Sequence, residues 1–247
     1  MAPSLRVWDK WTPPPERGQG LRQGLAAGTF RGVLTERSVV DALARWASAP
    51  GGGLDRRRLA VICLAAYLAF AASYLAINVF SIGRPAHRLW LPGEERIPFV
   101  PEFEFLYVLS YVLPLLVVFR LPDVRRLRQA ILAFPLMLAV AYTTYLLFPV
   151  YLERPALRVD SIATFLLSLE YHDPSYNHFP SLHVATSWFV YFACRDAIPR
   201  RGWMVTLLVG VAVSTLFVKQ HYLVDVLYGV ALAAAAWVTA GRALGGA

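Results

Sequence analysis

Long apolar runs separated by polar connections constrain this chain more than any other feature of its sequence. Six runs each approach the roughly 20 residues that an α-helix needs to cross the hydrocarbon core of a bilayer. A soluble core would not need so many runs of this length without alternating polar faces. We therefore predict an all-α fold, a polytopic membrane protein built as a six-transmembrane-helix bundle. The predicted spans are residues 59–81, 103–120, 129–149, 181–198, 203–220 and 222–241.

The composition agrees with a membrane protein. Charged residues make up 16% of the chain, against roughly 25% in soluble domains. Both cysteines lie in predicted spans, so we interpret them as buried apolar side chains rather than a disulfide. Residues 1–57 are predicted to be a basic cytoplasmic tail, partly disordered, with an amphipathic helix from Thr35 to Ser48. Residues 58–243 are predicted to form the membrane domain.

The basic residues are distributed unevenly between the two sides of the predicted bundle. Of the 24 Lys and Arg residues, 18 lie in the N-terminal segment, the second–third and fourth–fifth connections and the C-terminus. The positive-inside rule then places both termini in the cytoplasm of a cell bounded by a plasma or inner membrane. This pattern accounts for the net charge of +8, so we expect the bilayer, and not a nucleic acid, to surround the chain. The oligomeric state stays open.

Two short stretches place histidines at the ends of apolar runs. The sequence N-H-F-P-S-L-H occupies residues 177–183, and K-Q-H-Y-L-V-D occupies residues 219–225. Ionisable residues beside a bilayer are costly, which makes them candidates for a functional site. Asp225 follows His221 by four residues, on the same helical face, so its carboxylate is expected to orient the ring. The predicted topology places both stretches at the extracytoplasmic face.

The residue types around these histidines suit the handling of a phosphoryl group. A helix predicted to begin after Pro180, with Ser181 as its cap, would offer free N–H groups to an anion. Lys219 and Arg154 supply cations on the same predicted side. Phosphoryl transfer depends largely on holding charged oxygens in a fixed geometry. Asn177 could bind a substrate hydroxyl or cap the turn before Pro180, and both interpretations stay open.

Together these residues resemble the type 2 phosphatidic acid phosphatase (PAP2) superfamily, which pairs a Pro-Ser-Gly-His-type motif with a later Ser-Arg-x5-His-x3-Asp motif. Here residues 180–183 stand for the first motif and residues 214–225 for the second. The closest resemblance is to the branch that contains inositol phosphorylceramide synthases. In that branch leucine replaces the glycine of the first motif, and a segment similar to residues 176–183 precedes the helix. Residues 97–111 and 147–150 also resemble it.

The chain departs from the superfamily pattern at two places. Thr215 stands where the last motif has an arginine, and Lys219 is the candidate to supply that charge. An earlier superfamily motif, Lys-x6-Arg-Pro, is matched only at its end. Arg154-Pro155 is the preferred match because it precedes Pro180 on the same outer loop, and Arg84-Pro85 is the competing match.

The resemblance implies an integral membrane enzyme that acts on a lipid phosphate or phospholipid through a phosphohistidine. His221 would attack phosphorus, Asp225 would orient it, and His183 would protonate the departing alcohol and then activate the acceptor. No metal or cofactor is implied, because cations do the electrostatic work. The residues expected to hold the substrate are Arg154, Ser181, Lys219 and Asn177.

Several alternatives remain at this point. The acceptor could be water, as in a phosphatase, or an alcohol, as in a headgroup phosphotransferase. A transporter or proton relay would need polar residues near the middle of several spans, and these are scarce. A zinc hydrolase could use His172, His183, His221 and Asp225. We interpret His87 and His178 as surface residues, and Asp173 as an ordinary loop residue that could instead help to bind a polar acceptor.

Overall fold

The computed structural model describes residues 39–245, and this part of the chain is helical, with isolated bridges but no strands between the helices. Nine α-helices, numbered here from residue 56 onward, follow one another along the chain. They are α1 Arg56–Ser81, α2 Glu104–Tyr107, α3 Leu109–Val112, α4 Leu115–Arg120, α5 Val124–Leu147, α6 Ile162–Glu170, α7 Leu182–Cys194, α8 Arg201–Phe217 and α9 Leu223–Ala243.

Three of these helices, α1, α5 and α9, are long and apolar enough to cross a membrane. Asp55 caps the start of α1 and Asp123 the start of α5, each accepting backbone N–H bonds with its carboxylate. The predicted spans at 181–198 and 203–220 contain the shorter helices α7 and α8, of 13 and 17 residues. The prediction of an all-α fold is therefore confirmed, whereas a bundle of six spanning helices stays a prediction.

The predicted span at residues 103–120 is not one continuous helix. It is divided into α2, α3 and α4, with turns at Val108 and at Leu113–Pro114. Proline has no N–H to donate and its ring clashes with the preceding turn, so a break before α4 is expected at Pro114. Nothing in the sequence explains the break at Val108. The division lets α2 and α3 contact α6 and α7 respectively.

Helix α7 lies at the centre of the packing. It contacts α3, α4, α5, α8 and α9. The shared core is rich in alanine, including Ala133, Ala185, Ala193 and Ala236. Small residues let helices approach closely, which is how helices associate where water does not drive packing. The residues at the start of α7 are therefore surrounded by other helices.

Large apolar side chains cover the outward faces of the long helices. Leu64 and Leu68 on α1, Leu147 at the end of α5 and Leu227 on α9 are all more than half exposed. A soluble monomer rarely exposes contiguous apolar surface on this scale. The outward faces therefore match the environment expected from the sequence, a bilayer.

The loop between α5 and α7 is more ordered than the sequence analysis expected. It contains α6, whose start is capped by Ser161, with Thr164 completing a capping box. Its two arms are joined by backbone hydrogen bonds, from Val150 N–H to the Tyr176 carbonyl and from Leu152 N–H to the Ser175 carbonyl. This pairing holds the residues that follow each arm at the mouth of the bundle.

Contacts divide the chain between residues 42 and 43. Residues 39–42 of the first unit are helical, as are residues 43–46 at the start of the second. Residues 39–46 fall within the helix predicted from Thr35 to Ser48, whereas residues 1–38 of the predicted tail lie outside the described residues. The boundary predicted at residue 57 stays a prediction.

Candidate active site

The starts of α7 and α9 meet, and this meeting brings the two motifs together. The Ser181 N–H donates to the Asp225 carbonyl at 3.1 Å. Gly229, one turn further along α9, lies so close to α7 that a Cβ there would be 2.7 Å from the Ser181 carbonyl oxygen. Glycine permits this close approach of two backbones. The side chains that follow Ser181 and precede Asp225 therefore point toward a common space.

His221 and Asp225 form the predicted pair. Nδ1 of His221 lies 3.3 Å from Oδ2 of Asp225, which also accepts the Tyr222 N–H at 2.9 Å. The His221 N–H is itself held at 3.2 Å by the carbonyl of Thr215, which lies buried in α8 where the family motif has an arginine. Because a carboxylate accepts, Nδ1 carries the proton and the lone pair lies on Nε2.

Burial keeps His221 neutral. The residue is 7% exposed, and burial, with the nearby Arg154 guanidinium as a second cause, lowers the pKa of His221 to about 3. Its contact with Asp225 is therefore a hydrogen bond to a neutral ring rather than an ion pair at pH 7. A neutral imidazole with a free Nε2 is the form that can attack an electrophile.

His183, in the first turn of α7, faces His221. The two ring centroids are 5.7 Å apart. Nε2 of His183 lies 2.8 Å from the Tyr107 hydroxyl, and Nδ1 lies 3.3 Å from Oγ of Ser110. Both ring nitrogens thus have partners from α2 and α3. The predicted nucleophile His221 and the predicted acid His183 therefore lie close together, with room for a small group between their rings.

Arg154 is the cation that the structure brings to these histidines. Its guanidinium donates to the Asp173 carbonyl at 2.6 Å and to Oε1 of Gln220 at 2.9 Å, and it lies over the Tyr171 ring. No described residue accepts a bond from its buried Nε. The guanidinium is held by carbonyl and amide groups, so its positive charge is not neutralised by a direct ion pair with an acid.

Lys219 and Arg84 do not line the cavity that contains the two histidines. The Lys219 ammonium donates to the Ile97 carbonyl at 2.5 Å, and burial lowers its pKa below the ordinary value. Arg84 donates to the Leu146 carbonyl and stacks over Phe80. Of the two matches to the Lys-x6-Arg-Pro motif, the structure therefore brings Arg154, and not Arg84, to the histidines.

Of the two predicted substrate-binding residues Asn177 and Ser181, only Asn177 lines the cavity. Asn177 is 4% exposed and lines the cavity; its Oδ1 accepts from Ser81 Oγ, and its Nδ2 has no partner among the described residues. That amide is available to a ligand. Ser181 is fully buried, and its Oγ accepts the Val184 N–H, which confirms it as the cap of α7. Ser181 does not line the cavity, so its contribution to the site is to hold the helix start.

His178 is buried, and its interpretation as a surface residue was wrong. It is 4% exposed; Nδ1 lies 2.7 Å from the Gln220 carbonyl and Nε2 lies 2.8 Å from Ser175 Oγ. Burial, and next the neighbouring His221, hold the pKa of His178 well below its ordinary value. His178 thereby ties the α7 loop to the segment that carries His221. His87 is exposed, as expected.

Acidic and phenolic side chains form another wall of the site. Glu170 Oε2 accepts from the Tyr111 hydroxyl at 2.6 Å, and Asp173 accepts from Tyr74 and Asn78. Burial raises the pKa of both carboxyl groups, while these hydrogen bonds act against it. Glu170, Tyr107 and Tyr111 were not predicted as site residues, because only folding brings them together with His183.

One cavity of about 890 Å³ is lined by many of these residues, among them Arg154, Glu170, Asp173, Asn177, His178, His183 and His221. Its polar end contains the histidines, Arg154 and the acidic wall. Its apolar arm continues along the helices, between Leu59 and Tyr74 of α1 and past Phe134 of α5 and Val190 of α7. The polar end lies near the C-terminal end of α1, and the apolar arm runs toward its N-terminal end.

The residues of the zinc alternative are not assembled. Within residues 39–245, no group of three or more His, Cys, Asp and Glu side chains is placed to hold a metal ion. His172 is exposed, with Nδ1 at 2.6 Å from the Ser168 carbonyl oxygen. Among the described residues, His183 and His221 therefore face each other across the cavity and are not arranged around a common metal position.

Comparison with known proteins gives one match. A family model described as the PAP2 superfamily matches residues 80–239, which is more than half of the chain. No curated protein and no solved structure matches. The matched segment contains both histidine motifs and the loop that carries Arg154.

Proposed function

The chain belongs to the PAP2 superfamily, and on this premise we propose that it transfers or hydrolyses the phosphoryl group of a membrane lipid through a phosphohistidine. Members of the superfamily are generally phosphatases or phosphotransferases, and the apolar helices make this chain a membrane protein. The observation that carries the proposal is the meeting of His221, His183 and Arg154 at the polar end of a cavity whose other arm is apolar.

His221 is the nucleophile in this proposal. With Nδ1–H held by Asp225, Nε2 attacks phosphorus, and the P–O bond to the leaving alcohol breaks as the P–N bond forms. The ring gains positive charge in that step. The buried Asp225 carboxylate, whose Oδ1 has no partner among the described residues, stabilises that charge.

His183 supplies and removes the proton. In the first half it donates a proton to the departing oxygen, and in the second half it takes one from the acceptor that attacks phosphohistidine. The 5.7 Å between ring centroids leaves room for a phosphoryl group between the two imidazoles. Arg154 and the free Nδ2 of Asn177 are the groups best placed to hold the phosphoryl oxygens.

The apolar arm supports a lipid as the substrate. It follows α1 from Tyr74 to Leu59, a distance of about 22 Å at the helical rise. An arm of that length fits a hydrocarbon chain, whereas a soluble phosphoester would leave it unfilled. We propose that it receives one chain of the lipid while the headgroup phosphate lies between the histidines.

The membrane arrangement completes the proposal. Six spanning helices, with α2–α4 together forming the second, would place both termini in the cytoplasm and the histidines at the extracytoplasmic face. The distribution of Lys and Arg supports this orientation. A cysteine introduced at Tyr176 tests it: we expect labelling by an impermeant thiol reagent from outside intact cells, and labelling only after lysis would reverse it.

Headgroup transfer to an alcohol, as in inositol phosphorylceramide synthases, is the second candidate. The wall beside His183 favours it. Glu170 and Asp173 repel a dianionic phosphate but accept hydrogen bonds from hydroxyl groups. Arg154 is the one Lys or Arg among the described residues that line this cavity, so a phosphodiester with a single negative charge is better matched than a phosphate monoester.

The test uses purified protein in detergent with radiolabelled lipid phosphates and phospholipids of short and long chain. We expect phosphate release or headgroup transfer by wild type and none by His221→Ala; equal activity in both would refute the proposal. Ala66 lines the apolar arm, whereas Ala69 of the same helix does not. Ala66→Trp should therefore reduce activity on long-chain lipids more than on short-chain lipids, and Ala69→Trp should change neither. Equal loss on both chain lengths would contradict the lipid arm.

A further inference from the structure

A second carboxylate is connected to His183 through two tyrosine hydroxyl groups. Nε2 of His183 lies 2.8 Å from the Tyr107 hydroxyl. The Tyr107 and Tyr111 rings meet edge to face, with their centroids 6.0 Å apart, and the Tyr111 ring also contacts the His183 ring at 5.2 Å. The Tyr111 hydroxyl donates to Glu170 Oε2 at 2.6 Å. His183, Tyr107, Tyr111 and Glu170 therefore contact one another in series, a chain of side chains from α7 through α2 and α3 to α6.

Glu170 determines which groups donate and which accept along this chain of side chains. A phenol has one proton to donate, and a carboxylate only accepts. Tyr111 gives its proton to Glu170, so toward the neighbouring Tyr107 its oxygen can only accept. The Tyr107 oxygen is then left to accept the Nε2–H of His183. Every donor in the chain points toward Glu170, and Nδ1 is the ring nitrogen left for the reacting oxygen, beside Ser110.

We propose that Glu170, acting through Tyr111 and Tyr107, is a positioning residue for His183, as Asp225 is for His221. The inference rests on the proposed function, because it assumes the acid–base role of His183. When His183 donates its Nδ1 proton, the N–H bond breaks, the leaving oxygen gains an O–H bond and the ring becomes neutral. When it takes the acceptor's proton, the imidazolium returns, and the carboxylate at the end of the chain stabilises it.

The surrounding charges make such a partner necessary. The titratable and charged groups that act on His183 from the neighbouring elements are Tyr107, Tyr111, His178, His221 and Arg154. A positive charge on either His221 or Arg154 opposes the imidazolium. Asp225 is engaged by His221. The groups near Glu170 are Tyr111, Glu104, Asp173 and Arg154, and its carboxylate is the one that Tyr111 and Tyr107 connect to His183.

Glu170→Gln and Tyr111→Phe test the chain without opening the core. The first keeps an acceptor for Tyr111 and removes the charge, and the second breaks the chain at a half-exposed ring. Glu102→Gln is the matched control, an exposed acid just before α2 in a segment that contacts α6. The measurement is the single-turnover rate of phosphoenzyme formation as a function of pH, with the thermal midpoint in detergent as the check on folding.

We expect both variants to lower the rate at pH 7.5 by about tenfold, a fraction of what general acid catalysis contributes. We also expect the alkaline limb of the profile to move to lower pH, because the imidazolium loses its stabilising charge. The double variant should be no slower than Tyr111→Phe alone, since both changes break one chain. An unmoved alkaline limb, or additive losses, would overturn the inference while leaving the proposed function standing. If His221→Ala formed phosphoenzyme as fast as wild type, both the inference and the proposed function would be overturned.

Discussion

Oδ2 of Asp225 accepts two hydrogen bonds at once, from Nδ1 of His221 at 3.3 Å and from the N–H of Tyr222 at 2.9 Å. The backbone bond fixes the carboxylate at the start of α9, and the carboxylate fixes the ring. We expect Asp225→Asn to lower the rate by at least a hundredfold, because an amide can hold the ring in the other tautomer and cannot stabilise its charge.

The matched control for Asp225→Asn is Glu153→Gln, which changes an exposed acid that pairs with Arg88. Steady-state rates on the best lipid substrate, measured for folded protein in detergent, compare the two variants. Asp225→Asn with more than half of the wild-type rate would contradict the orienting role.

Gly229 tests the contact between α7 and α9. A Cβ at this position would lie 2.7 Å from the Ser181 carbonyl oxygen and 3.2 Å from Cβ of Val184, and neither atom belongs to the flexible end of a side chain. We expect Gly229→Ala to cost about 1–3 kcal/mol through overpacking, and to lower activity because the start of α7 carries His183. Gly210→Ala is the control, since its Cβ would meet only Leu106 at 3.8 Å. Thermal midpoints that fall equally in both variants would show that the contact is not close.

The buried histidines predict a loss of stability in acid. Burial lowers the pKa of His221 to about 3 and holds the pKa of His178 well below its ordinary value. An unfolded histidine titrates near ~6.5, so below that pH the unfolded state binds more protons than the folded state, and stability falls as the pH falls. We therefore expect the contribution of the two histidines to stability to decrease from pH 7 to pH 5, while the buried Glu170 and Asp173, whose pKa values burial raises, act in the opposite direction.

His178→Gln should make that pH dependence shallower, because one of the two buried groups no longer titrates on unfolding. His172→Gln, at an exposed position, should leave it as in wild type. A pH dependence in His178→Gln as steep as in wild type would show that His178 does not contribute.

Variants of Arg154 and Lys219 show which of these two cations holds the phosphoryl oxygens. We expect Arg154→Gln to lower phosphoryl transfer by about 100-fold, as the loss of a preorganised charge does at such sites. Lys219→Met should have less than a tenfold effect, because its ammonium is bound to the Ile97 carbonyl. Rates measured at saturating lipid compare them. A larger loss in Lys219→Met than in Arg154→Gln would mean that the lysine, and not the arginine, holds the phosphoryl oxygens.

The parts of the site that depend on local spacing could be predicted from the sequence. Asp225 and His221 are four residues apart, and Ser181 is followed directly by α7, so helical geometry alone places them. The position of Arg154 depends on how the α5–α7 loop folds, which no local pattern determines. The direction of the Lys219 side chain could not be predicted either: the chain turns there at φ 54°, and the ammonium donates to the Ile97 carbonyl.

Contacts between distant segments were beyond the sequence analysis. Tyr107 and His183 are 76 residues apart, and His178 and the Gln220 carbonyl are 42 apart. The apolar patterns predicted the long helices, but they did not show that residues 103–120 divide into three helices or that Glu170 ends one in the outer loop. Those features follow from packing around α7, not from periodicity.

The central claim is that His221 carries the phosphoryl group between donor and acceptor. The most direct measurement is mass spectrometry of a His183→Gln variant, quenched at alkaline pH after incubation with a phosphorus-labelled lipid phosphate. We expect slowed turnover to leave a labelled phosphohistidine on the peptide that contains His221, and no label in the His183→Gln/His221→Ala double variant. Label on any other residue, or label that persists in the double variant, would contradict the assignment.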